Sequence, residues 1–504
     1  MLLRNGLFFA DGHFWENMCV RLETGRVTAM GEGVAPLDGE AVIDLQGDFV
    51  LPGFVDAHIH AFRGHDTMQG EDAIRQMARE LYQEGVAAFL PTTMSASVED
   101  TRRVIAAVRR VMDTPEQRAA RVLGAHMEAP FLSPEKAGAQ RKEFFLHPSW
   151  EAFLDLTGGD IQTVRVITMA PELPGAEEFI RKAAENGIHV SIGHTAATDE
   201  QVHQAADWGA TRVTHTYNAQ TPFTHRAPGV PGAALTDDRL FAEFIGDGVH
   251  LHDDAVKVLL RCKGADKAVA ITDSMEAAGL PDGEYALGGQ AVTVRGHEAR
   301  LHDGTLAGSV LLMRQAFQNL MARYGQTPEA AVRICTENPA RSIGASGFGT
   351  ICVGAGVPLT RWGKDFAWKG ILGGRNFWVL AYLSFFFWLN LIGTGGIASA
   401  ETKSQRNTRK LHEEVTNSIA RKGQGAMPLA ESRGRASGLK GGCNTHDENR
   451  LERTVAGEAE HGKTGDHAAS VPGDDDAAVD NIAGGACNAE SRQGNGLPHR
   501  RIPL

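Results

Sequence analysis

Between residues 54 and 273 short apolar runs alternate with helix-patterned stretches. The runs are 54–60, 87–90, 122–128, 164–168, 189–194, 213–215, 240–245 and 268–273. Strands alternating with helices point to a parallel sheet, because a helical crossover returns the chain to the same end of the sheet. Eight such units form either a (β/α)8 TIM-like barrel or a doubly wound open sheet. The polar residues separate the two. His58 and His60 end the first run, Glu128 the third, His194 the fifth, His215 the sixth and Asp273 the eighth. In a barrel these C-terminal ends converge on one mouth, whereas an open sheet spreads them too far apart to share an ion. A single strand-end histidine is more often structural than a ligand, but this joint placement points to a metal. His, Glu and Asp ligands without Cys suit zinc, and also iron or manganese. His126, two residues before Glu128, reads as a core histidine.

The flanks read differently. Residues 1–52 hold short apolar runs broken by Gly and Asp, the pattern of a small antiparallel sheet. From about Ser309 to Ala340 two helices are expected, the second opening at Thr327-Pro328-Glu329 as cap, first position and first turn. Runs at 349–353 and 368–372 then read as strands that return to the N-terminal sheet. The expected organisation is a small β-sandwich from 1–52 and 344–376, a barrel over 53–343, a hydrophobic segment at 377–399 and a disordered tail at 400–504. Residues 377–392 are almost wholly apolar and lie near the lower limit of the ~17–25 residues that span a membrane. The stretch from about Glu401 onward is rich in Gly, Asp, Glu and Arg and poor in aromatics, too polar to offset chain entropy. A membrane anchor, a buried segment and read-through past a stop all remain open, with the last favoured because the globular pattern is complete before it.

Composition narrows the partners. The net charge is -12 with no dominant basic patch before the tail, which argues against nucleic acid. The 6 cysteines are scattered without a CxxC pair, so they read as reduced thiols of a cytoplasmic protein. The first residues show no basic stretch followed by an apolar one, so no signal peptide is read.

Finer motifs carry a resemblance. Leu51-Pro52-Gly53-Phe54-Val55-Asp56-Ala57-His58-Ile59-His60, Gly124-Ala125-His126-Met127-Glu128, Ser191-Ile192-Gly193-His194-Thr195 and Val213-Thr214-His215-Thr216-Tyr217-Asn218-Ala219 belong to it. So do His225-Arg226-Ala227-Pro228-Gly229, Asp247-Gly248-Val249-His250, Ile271-Thr272-Asp273 and Gly304-Thr305-Leu306-Ala307-Gly308-Ser309. Over about its first 375 residues the chain resembles the N-acetylglucosamine-6-phosphate deacetylases of the amidohydrolase superfamily. The resemblance implies a barrel with a β-sandwich made from both chain ends, and hydrolysis of the substrate acetamide by a metal-activated water. It implies Glu128, His194 and His215 as ligands of a principal ion and His58 and His60 as ligands of a second, so one or two ions per subunit. Asp273 becomes the general acid/base and His250 the group that polarises the acetamide carbonyl. Arg226 with His225 would hold the phosphate, aided by backbone at Asn218 and Ala219. The arginine can come from a neighbouring subunit, which implies a homodimer. The Ser309 hydroxyl reads equally as a substrate contact or a helix cap. Many relatives bridge two ions with a carboxylated lysine after the fourth strand; 168–172 has none, leaving Glu128 to serve. The chain departs from the family at Ala129, usually Gly, and at Gln140, usually His. Those departures keep an N-acetylgalactosamine-6-phosphate or other N-acyl substrate open. A membrane-tethered scaffold without turnover is the alternative of another class.

Overall fold

The computed structural model describes residues 1–356 and 358–372. Its centre is a ring of parallel strands: β1 (Phe54–Ile59), β2 (Val86–Thr93), β3 (Ala125–Met127), β4 (Val164–Met169), β5 (His189–Ile192), β6 (Arg212–Val213), β7 (Phe241–Ile245) and β8 (Ala268–Ile271). Arg121–Val122 forms a detached first half of the third position and also pairs with β2. Every residue of β1 and β2 is buried. That is why apolar residues fall on both faces of these runs rather than alternating with exposed ones: core packs on one side and helices on the other. At the seam between β8 and β1 the Asp273 N–H donates to the His58 carbonyl at 2.9 Å, and the Thr272 hydroxyl donates to Asp56 Oδ2 at 2.5 Å. The chain is therefore a (β/α)8 barrel.

The outer helices are α1 (Glu71–Gln83), α2 (Val98–Asp113), α3 (Trp150–Thr157), α4 (Ala176–Glu185), α5 (Asp199–Trp208), α6 (Gly229–Thr236), α7 (Asp253–Lys267), α8 (Met313–Ala322), α9 (Pro328–Cys335) and α10 (Glu337–Ser342). Helix α1 buries Ala73, Ile74, Met77, Ala78, Leu81 and Tyr82, one stripe at helical spacing. Several helices begin where the sequence offers a cap. Ser97 accepts from Asp100 N, Thr198 forms a capping box with Gln201, and Thr327 accepts from Ala330 N with Pro328 at the first position. The stretch expected to hold two helices holds three, because the chain breaks at Thr336 before α10.

Both ends of the described chain build a second core. One sheet joins 26–32, 18–23, 2–4 and 42–44; the other joins 368–372, 359–362, 49–52, 7–10 and 13–15. Leu3, Phe8, Val20, Leu22, Val50, Leu359 and Leu372 are buried together there. The expectation of a purely antiparallel N-terminal sheet is corrected, since 2–4 pairs with 42–44 and 7–10 with 49–52 in parallel. The strand expected at 349–353 is irregular, and the partner of 368–372 is Leu359–Trp362 instead. The hydrophobic segment at 377–399 and the tail at 400–504 lie outside the described residues. Among the described residues no helix is long and apolar enough to cross a membrane.

Between β8 and α8 the chain inserts three antiparallel strands, Gly283–Leu287, Gln290–Arg295 and Glu298–Leu301. They rest on their own small core of Met94, Met275, Leu287, Val292, Val294 and Ala299 at the barrel mouth.

Candidate active site and metal centre

Parallel strands deliver the residues just past their C-terminal ends to the same rim. His58 is on β1 and His60 directly follows it; Glu128, His194, His215 and Asp273 come one or two residues past β3, β5, β6 and β8. All six are buried. His194, His215 and Asp273 have φ of 47°, 29° and 50°. Non-glycine residues rarely occupy that region, and where they do it commonly marks a functional position.

The six form two groups, His58–His60–Asp273 and Glu128–His194–His215, and within each the ligand atoms lie within 4.8 Å of one another. Glu128 joins them. Its Oε1 lies 3.3 Å from His58 Nε2, 3.3 Å from His194 Nε2 and 3.0 Å from His215 Nε2, and its Oε2 lies 3.1 Å from His60 Nε2. Asp273 Oδ1 is 3.4 Å from His58 Nε2 and 3.2 Å from His60 Nε2.

The donor chemistry fits a cation. His194 Nδ1 bonds the Lys136 carbonyl at 2.9 Å, so Nδ1 carries the hydrogen and Nε2 the lone pair. That lone pair lies 3.1 Å from His215 Nε2 and 3.3 Å from Glu128 Oε1, a cluster of donor atoms of the kind that holds a cation. Gly138, at φ 57°, lets the loop come this close: a Cβ there would sit 3.3 Å from the His194 ring. Charge balance agrees. Burial alone would lower His58 and His60, but the carboxylates of Glu128 and Asp273 raise His58 well above its ordinary value and His60 to about 9. Burial would likewise raise Glu128, yet the charge of His58 beside it holds it well below the usual carboxylate range. The centre draws positive charge, as a divalent metal site should.

A cavity of about 390 Å³ opens above these groups. His60, Glu128, His194, His215, His250 and Asp273 line it, and Asn218 and Ala219 do so too. His250 Nδ1 bonds Asp247 Oδ2 at 2.8 Å, while Asp247 Oδ1 accepts from the Val249 and His250 N–H groups. Burial would lower His250, but the Asp247 carboxylate raises it above its ordinary value and so favours a protonated ring. Gln140 sits against Glu128, its Nε2 donating to Oε2 at 2.8 Å while Ser95 N donates to its Oε1 at 2.7 Å.

Three candidates lie elsewhere. His225 and Arg226 are exposed on the loop before α6 and do not line the cavity. Ser309 is buried; its hydroxyl donates to the Thr272 carbonyl at 2.5 Å and accepts from Leu311 N at 3.0 Å, and Gly308 lines the cavity instead. Nor is Ser309 a cap, for α8 begins after Leu312. His126 is a core histidine, its Nε2 2.7 Å from Thr168 Oγ1, and burial pushes it down to about 3.

Sequence reading missed Arg300, the one Lys or Arg lining the cavity among the described residues. It extends from the inserted sheet, its Nε on Glu298 and its Nη1 on the Gly304 carbonyl, and Nη2 has no partner among the described residues. The overlooked signal is a hairpin: alternating residues at 284–287 and 291–294 flank Gly288-Gly289, both at positive φ.

The model of the amidohydrolase family matches residues 49–363. An N-acetylglucosamine-6-phosphate deacetylase of Lysinibacillus sphaericus is 38% identical over 347 residues, which is 67% of this chain and 87% of the relative. An N-acetylgalactosamine-6-phosphate deacetylase of Escherichia coli O157:H7 is 36% identical over 310 residues, 61% of this chain and 81% of the relative. Among solved structures, a mutant N-acetyl-D-glucosamine-6-phosphate deacetylase from Mycobacterium smegmatis in complex with N-acetyl-D-glucosamine-6-phosphate superposes with a TM-score of 0.68 at 30% identity, covering 74% of this chain and 97% of that one.

Proposed function

The chain belongs to the amidohydrolase family, and from that premise we propose that it hydrolyses the acetamide of N-acetylglucosamine-6-phosphate to glucosamine-6-phosphate and acetate. The observation that carries this reading is the convergence of His60, Glu128, His194, His215 and Asp273 on the floor of one sugar-sized cavity, with His58 buried directly beneath them. Its residues are those of a divalent metal site, with Glu128, His194 and His215 as ligands of a principal ion and His58 and His60 as ligands of a second. An ion so held would lower the pKa of a bound water toward ~7 and polarise the scissile carbonyl. We assign zinc, which a His and carboxylate donor set suits; Fe²⁺ and Mn²⁺ share that preference.

The chain's own residues do the rest. Asp273 accepts the proton of the attacking water and returns it to the departing amine, so one carboxylate serves both halves of the reaction. His250, oriented by Asp247, donates a hydrogen bond to the oxygen that gains charge as the carbonyl carbon becomes tetrahedral. Backbone at Asn218 and Ala219 contacts the sugar phosphate, and Arg300 adds a guanidinium from the same chain. His225 and Arg226 reach the phosphate from a second subunit of a homodimer; exposed Phe223, at 56%, shares their loop and would be covered there. Among the described residues Cys19, Cys262, Cys335 and Cys352 form no disulfide, in keeping with a cytoplasmic setting.

The test is acetate release by metal-loaded protein from N-acetylglucosamine-6-phosphate and its galactosamine epimer. The expected result is turnover of both with a higher kcat/KM for the gluco compound. The galacto relative at 36% identity supports the reverse preference as a second reading. No acetate from either sugar overturns the assignment.

A further inference from the structure

Below the mouth the barrel holds a polar layer outside the reaction described. Glu243 on β7 and Arg212 on β6 are both fully buried and form an ion pair through Glu243 Oε1. Arg212 also donates to the Ser342 hydroxyl at the end of α10. The other carboxylate oxygen, Oε2, faces upward. It lies 3.3 Å from His58 Nδ1 and accepts the His215 N–H at 3.3 Å. One carboxylate thus touches a residue from each of the two candidate metal groups.

We propose that Glu243 is a positioning residue for a two-ion centre, holding His58 in its metal-binding tautomer and anchoring the backbone of His215. This rests on the metal reading above. An ionised carboxylate accepts and cannot donate, so the hydrogen of a neutral His58 ring must sit on Nδ1. Nε2 then keeps its lone pair and points to the Glu128 and Asp273 oxygens. Its neighbour His60 has no such help, because His60 Nδ1 is buried without a partner among the described residues. Of the two imidazoles in that group, only His58 has its tautomer dictated. The ion shared by His58, His60 and Asp273 therefore depends on Glu243 more than the other ion does. His194 takes its tautomer independently, from the Lys136 carbonyl. His215 Nδ1 is unpartnered, so Glu243 helps this residue through its main chain, which is held at φ 29°. Arg212 makes the arrangement tenable, since a buried carboxylate without a counter-charge would be costly.

The test is stepwise zinc binding by metal-free protein, followed by competition with a chelator, with far-UV circular dichroism to report the fold. Wild-type protein should take two Zn²⁺. Glu243→Gln should weaken the second Zn²⁺ by roughly 10- to 100-fold, the usual effect of losing a hydrogen-bonding partner of a ligand, and the first by a smaller factor, because His215 loses only a main-chain contact. Because Glu243→Gln leaves Arg212 buried without its partner, the pair Arg212→Met with Glu243→Leu provides a second variant without a stranded charge. The same split between the two binding steps is expected there. A merely structural role would lower both affinities together. Equal weakening of both steps, or two unchanged steps in a folded variant, overturns the proposal. Wild-type protein that takes one ion overturns it while leaving the hydrolase reading intact, and protein that takes none overturns both.

Discussion

A carboxylate three residues away in sequence favours the protonated form of His250. Asp247 bonds its Nδ1 and raises its pKa above the ordinary histidine value, against burial that lowers it. A raised pKa keeps the ring protonated to higher pH, so activity that needs that proton is lost only as pH climbs through the raised value. Asp247→Asn removes the supporting charge, and the alkaline limb of the kcat profile should move to lower pH. An unmoved limb assigns that limb to another group. Arg300 makes a different prediction. A charge-assisted contact is worth about 1.5–3 kcal/mol, or roughly 10- to 100-fold. Arg300→Ala should raise KM for the phosphorylated sugar by that factor and leave kcat/KM for unphosphorylated N-acetylglucosamine unchanged. Equal losses on both substrates would show that Arg300 does not read the phosphate.

At the scale of elements, legibility followed the range of the forces involved. The Thr327-Pro328-Glu329 start of α9 was readable because a cap is satisfied within one turn, here by Thr327 accepting from Ala330 N. Thr327→Ala should cost about 1 kcal/mol in chemical denaturation, with the cavity chemistry untouched. The barrel strands were readable because strands buried on both faces leave continuous apolar runs. The ends of those strands gave His58, His60, Glu128, His194, His215 and Asp273 for the same reason. The strand at 359–362 was missed because its pairing is set by partners more than 300 residues away, Phe49–Pro52, and not by its own short, mixed sequence. The run at 349–353 misled in the opposite direction: Ile351 is buried in the small core, but from irregular backbone. Apolar content reports burial and not conformation. Arg300 and the Arg212–Glu243 pair were invisible for a related reason, since only the folded barrel shows which charges face inward.

For the whole molecule, metal and stability should be linked. Six buried candidate ligands drawn from five separate stretches of chain come together only in the folded state, so an ion bound there would stabilise folding by mass action. At a free ion concentration about 1,000 times Kd the gain is about 4 kcal/mol. Chelation should therefore lower Tm by several degrees, and readding zinc should restore it. An unchanged Tm after verified metal removal would separate the six residues from any ion. The surface carries its own acid sensitivity. Arg239, and with it His203, hold Asp237 well below the usual carboxylate range even though burial pushes it up. A depressed carboxylate contributes its stability above the unfolded value of ~4 and loses it as pH falls below that. Asp237→Asn should therefore lower Tm at pH 6, and the gap from wild type should shrink toward pH 3.

The seam between the first and last strands has a consequence for how such a molecule fails. The ring is joined there by the Asp273 N–H on the His58 carbonyl and by Thr272 on Asp56. Asp273 and His58 are thus stitched to each other through the same joint that shuts the cylinder. Any loosening that unzips this one junction disarms the chemistry while the remaining seven-eighths of the wall still stands. Inactivation by heat or denaturant would then be an early, local event, and the working lifetime of the protein would be set by its clasp and not by its bulk.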